Sequence, residues 1–145
     1  MRLLSLSVCL LSTVLIVPPA AAGPWGDLPE AIARLQVNPD DGAAESVIRQ
    51  AEASIIFEAE SGRLPAVVVL MEAYASLVMR LHDGEGRLKR VERRTAAALI
   101  AYGRGRRATD LESAARAWTL AADYDRSGPA IGQLREIFLP PADPE

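Results

Sequence analysis

The residues in this 145-residue chain that could do chemistry fall in separate places, and each can be weighed against the chemistry it would perform. Asp123, Asp125, Ser127 and Gly128 follow the first half of a calcium-loop pattern, D-x-[DN]-x-[DNS]-G. Such a loop closes on a bidentate glutamate six residues after the glycine, and that position holds Leu134. Pro129 suits a helix start, so the stretch reads as a turn between helices. His82 is the only histidine and Lys89 the only lysine. One imidazole without a thiol is too little for a histidine-based metal site or a Ser-His triad. His82 stands at a predicted helix end, where a cation suits the helix dipole. Lys89 lies in a basic run, as a solvated charge would. The neighbouring acids Glu58 and Glu60, and Asp40 and Asp41, fall near predicted helix ends and read as solvated. No glycine-rich loop carries the lysine a phosphate site needs. These residues supply no catalytic set, metal site or cofactor site, and the chain reads as a non-enzyme.

The arginines are more informative. Between Arg80 and Arg107 stand nine basic residues, opposed only by Asp83, Glu85 and Glu92, a net charge of +6. The rest of residues 23–145 holds six basic and sixteen acidic residues, a net −10. Helical spacing puts Arg87, Arg90 and Arg94 on one face. One reading is a solvated face paired with acidic helices of the same domain. The other is a docking surface formed by Arg87, Arg90, Arg93, Arg94, Arg104, Arg106 and Arg107, for an acidic protein or for anionic lipid headgroups at the periphery of a membrane. Arginine in place of lysine favours bidentate contacts to carboxylate or phosphate. An overall acidic balance argues against nucleic acid.

The elements that position these residues begin after a different kind of segment. Met1 and Arg2 give a positive start, Leu3 to Val17 is apolar or small, and Ala20, Ala21 and Ala22 offer a small-residue exit. That order is a secretory signal peptide cleaved after Ala22. It predicts a periplasmic or secreted protein starting at Gly23, with no stable membrane span once the signal is removed. The only cysteine, Cys9, falls inside this segment, so residues 23–145 can form no disulfide and no thiolate metal site.

Residues 23–139 read as one all-helical domain, and 140–145 as a proline-rich flexible tail. Six helices are predicted. The first covers Leu28 to Val37, with Asp27 and Glu30 as a capping box. The second runs from Ala43 to Glu60 and ends at Ser61 and Gly62. The third, Pro65 to Leu81, is apolar nearly all round and is predicted to sit at the centre of the core. The fourth covers Glu85 to Tyr102, closed by Gly103 and Gly105. The fifth starts at Thr109, with Glu112 three residues on, and carries Leu111, Ala114, Ala115, Trp118, Ala121 and Ala122 on one face. The sixth covers Pro129 to Phe138.

Two of these segments align at an offset of 64: Ala66, Leu70, Glu72 and Tyr74 correspond to Ala130, Leu134, Glu136 and Phe138. With Tyr102, Gly105, Asp110, Ala114, Trp118, Ala121 and Ala122, this pattern resembles tetratricopeptide-type repeats of the Sel-like subclass over about Ala44 to Phe138. Arg107 and Ala108 depart from it, standing where that subclass has Gly and Val. The resemblance implies stacked antiparallel helix hairpins, as a short repeat array or a compact bundle, and a protein-binding scaffold. The expectation is thus an exported accessory protein of the bacterial envelope. Its rival is a small periplasmic enzyme or ligand-binding protein using carboxylates in an interhelical groove.

Overall fold

The computed structural model describes residues 23–126 and 128–138. The signal segment, Ser127 of the calcium-loop pattern and the proline-rich tail lie outside them. Six α-helices follow one another: α1 (Pro24–Val37), α2 (Gly42–Glu60), α3 (Leu64–Val78), α4 (Gly84–Arg106), α5 (Leu111–Tyr124) and α6 (Ala130–Phe138). No strand occurs among the described residues. Connections of three to five residues leave each helix room only to turn back on its predecessor. The result is an all-α array in which α1 packs on α2, α2 on α3, α4 on α5 and α5 on α6, while α4 also meets α2 and α3.

The core follows from the apolar stripes. Leu28, Ala31, Ile32 and Leu35 line the inner side of α1, and Ala44, Ile48, Ala51, Ile55 and Ala59 that of α2. Both sets repeat at three or four residues, the spacing of one helical face. Asp41 caps α2 by accepting hydrogen bonds from the Ala43 and Ala44 amides at 3.1 and 3.0 Å. One charged group lies inside this stripe. Glu52 is buried and accepts a 2.6 Å hydrogen bond from the Tyr74 hydroxyl of α3. Burial first, and the Glu52 carboxylate second, push the Tyr74 hydroxyl well above its ordinary pKa.

Several predicted details change. The first helix starts a turn early, at Pro24, whose missing amide costs nothing in a first turn. Asp27 therefore lies inside the helix and caps nothing. The cap of α5 is Asp110, not Thr109: its carboxylate accepts from the Ser113 amide at 3.0 Å, whereas the Thr109 hydroxyl turns back to the Arg106 carbonyl. The fourth helix runs through Gly103 and Gly105 to Arg106. Gly103 serves packing there instead of ending the helix. The indole of the fully buried Trp118 lies against it, and a Cβ at Gly103 would come within 2.3 Å of the indole nitrogen. That nitrogen donates to the Ile100 carbonyl at 3.2 Å, so Trp118 joins α5 to α4.

The largest correction concerns α3. Apolar nearly all round, it nevertheless buries only Val67, Met71, Tyr74 and Val78, and Val69 is 63% exposed. Each of α2, α3 and α4 packs against three other helices, but α4, despite its arginines, buries more positions than α3, among them Val91, Thr95, Ala96, Ala98, Leu99 and Ile100. Total apolar content set the expectation, but burial depends on how much of each face the neighbouring helices cover, and α3 keeps one face outward.

Candidate interaction face

The basic segment becomes the outward and inward sides of α4. The residues Gly86, Arg90, Arg93, Arg94, Ala97, Ala101, Arg104 and Gly105 are all exposed. They recur at three- and four-residue steps and so form one stripe. The intervening Val91, Thr95, Ala98 and Leu99 are buried.

Spacing alone groups Arg87 with Arg90 and Arg94, but the structure separates it. The Arg87 side chain is only 14% exposed. It donates to Asp83 at 2.7 Å and, with two nitrogens, to Glu45 of α2 at 3.0 and 2.9 Å. This clamp holds α4 to α2. The hydrogen bonds from Arg87 hold the Glu45 carboxyl below its usual range, and Glu45 in turn raises the Arg87 guanidinium. Arg107 is also engaged, donating to Glu136 of α6 at 2.9 Å. Lys89 pairs with Glu85 on the surface, and Arg106 lies over the Tyr102 ring at 5.6 Å. Arg90, Arg93, Arg94 and Arg104 form no ion pair with any described residue. The seven arginines singled out by sequence thus divide into two engaged in ion pairs, one stacked on a ring and four free on a single stripe.

The clamp carries a pH signature. A carboxyl with a depressed folded pKa stabilises the fold above its unfolded value of about 4.5, and that contribution disappears as pH falls through the folded value. Glu45→Gln is expected to cost about 1–3 kcal/mol at neutral pH, the range for a hydrogen bond to a charged group. The gap between variant and wild type should close as acidification protonates Glu45. Urea titrations from neutral pH to below the carboxyl range measure both.

A second region lies between α3 and α5. It is a groove of about 710 Å³ with Leu64, Pro65 and Val68 on one wall and Leu120 on the other. Glu112 and Asp123 lie along it, with Glu112 paired to Arg116. Outside the residues that line this groove, the Tyr124 hydroxyl is pushed up to about 12, by burial first and then by Glu72, Glu92 and Asp123. Burial also raises the Glu92 carboxyl. Sequence reasoning missed this groove, because its walls come from two helices, α3 and α5, that are not consecutive in the chain. It also missed the Glu52–Tyr74 pair, for which a signal existed: Glu52 interrupts the apolar stripe between Ile48 and Ile55.

His82 is exposed on the turn between α3 and α4, beside a cleft of about 600 Å³ that Arg80, Asp83 and Gln36 also line. Among the described residues no three His, Cys, Asp or Glu side chains group to hold a metal ion. None of the described helices is long and apolar enough to cross a membrane. Comparison with protein families, curated proteins and solved structures gave no match to this chain.

Proposed function

We propose that this chain is an exported, non-enzymatic accessory protein of the bacterial envelope, a repeat-like helical scaffold that holds an acidic protein partner on the outer stripe of α4. One observation carries the reading. Arg90, Arg93, Arg94 and Arg104 are exposed together on one helix face without a carboxylate partner among the described residues. The other exposed arginines without an ion pair there, Arg80, Arg126 and Arg135, are not on this stripe, and Arg106 lies over the Tyr102 ring. Exposed like charges on one helix repel one another and add little to folding, since even opposite-charge surface pairs are worth only about 0–1 kcal/mol. A complementary partner converts the same charges into faster and more selective association. The signal-like order of residues 1–22 supports export.

The alternative, a small ligand-binding protein or enzyme, draws support from the groove between α3 and α5, along which the carboxylates of Glu112 and Asp123 lie. It ranks second because Glu112 is already committed to Arg116.

Two measurements test the proposal. The exported form should begin at Gly23 on N-terminal sequencing. A retained Met1 in envelope fractions contradicts export with cleavage after Ala22. A photo-crosslinking side chain at Ala97, in the middle of the stripe, should yield a discrete adduct in the cells that make the protein. The same group at Val37, exposed on α1, should not. Equal adducts at both positions would remove the special status of α4.

A further inference from the structure

We infer that the part of the partner seated on α4 is an acidic α-helix lying lengthwise along the stripe from Arg90 to Arg104. This rests on the reading that the stripe takes an acidic protein, and it adds the form in which the acid is presented.

Arg90 and Arg104 are fourteen residues apart on one helix, which places the ends of the row about 21 Å apart. Between them the outward positions are Arg93, Arg94, Ala97 and Ala101. The face is therefore the convex side of one helix, charged at both ends, with only methyl groups in the middle.

The usual ways of capturing a segment then separate. Strand addition needs a sheet edge, and the described residues contain no strand. Polyproline recognition needs an aromatic-lined groove, and no aromatic residue stands on this stripe. Insertion into a lipid surface needs apolar anchors, but none of the large exposed apolar residues among those described lies on α4. An extended acidic segment laid over Ala97 and Ala101 would turn backbone amides and carbonyls toward methyl groups that cannot bond them. A helix satisfies those groups internally. It also presents carboxylates at three- and four-residue steps with the same 1.5 Å rise as the arginines, so one register matches the row from end to end. Guanidinium and carboxylate then meet in bidentate pairs.

Fluorescence anisotropy with the purified chain tests this at low and moderate ionic strength. The probes are labelled alanine-based peptides of about 21 residues, long enough to cover the row. One carries glutamates on a single face, and a second has the same composition broken by two central prolines. A third arm uses phosphatidylglycerol vesicles. The one-faced peptide should bind at least roughly tenfold more tightly than the broken one, and should gain helical circular dichroism on binding. Arg93→Glu/Arg94→Glu should abolish that binding while its own thermal melt matches wild type. Arg90 is left in place because its field reaches Tyr74. If both peptides bind alike, the helix inference fails and the acidic-partner reading stands. If only vesicles bind, or nothing binds, both fail.

Discussion

Replacing Trp118 with alanine is expected to destabilise the fold by about 3–5 kcal/mol, the range for emptying a fully buried aromatic site. The side chain is wholly enclosed and Gly103 leaves the space in which the indole lies. Truncation removes the apolar area, leaves a cavity between α4 and α5, and strips the Ile100 carbonyl of its indole donor. The surrounding residues are mostly alanine on the α5 side, namely Ala114, Ala117 and Ala121. Short side chains cannot swing into the void, which puts the expected cost toward the upper part of that range. Native domains are stable by only about 5–15 kcal/mol, so the variant should be marginal at room temperature. Urea unfolding followed by far-ultraviolet circular dichroism measures it. A loss below about 1 kcal/mol would place Trp118 outside the core.

Gly62→Ala is the second large effect. This glycine ends α2 with a φ of 71°, the left-handed region where a side chain costs about 1–2 kcal/mol. A Cβ there would also fall 2.1 Å from the Tyr102 ring, a wall of the groove between α3 and α5. Backbone strain and displacement of a ring act together, and a total of about 2–4 kcal/mol is expected. The variant should also increase Tyr102 exposure, visible as faster quenching of tyrosine fluorescence. A stability equal to wild type would mean that the α2–α3 turn has other conformations available.

The helices themselves were legible in the sequence because they depend on local chemistry. The stripes of α1 and α2, the breaks at Ser61–Gly62 and near Asp83, and a start for α5 beside Thr109 can all be read within a few residues of chain. What could not be read locally depends on partners far along the chain. Arg87 and Arg94 are equivalent by spacing, yet Glu45, 42 residues earlier, takes Arg87 into a clamp and leaves Arg94 outside. The same limit explains α3, whose apolar composition does not say which of its faces the other helices cover. Gly103 looked like a helix stop until the indole of Trp118, fifteen residues on, filled the space a side chain would occupy.

The account's central claim is that Arg90, Arg93, Arg94 and Arg104 hold a partner and do not hold the fold. It is tested most directly by the yield of the Ala97 photo-adduct in Arg93→Glu/Arg94→Glu, compared with wild type at matched expression, together with the melting temperature of each. The account predicts that the adduct falls by about tenfold or more, equivalent to at least about 1.4 kcal/mol of association, while the melting temperature stays within a few degrees. An undiminished adduct would contradict it. So would a marked fall in melting temperature, which would show that these arginines stabilise the helices.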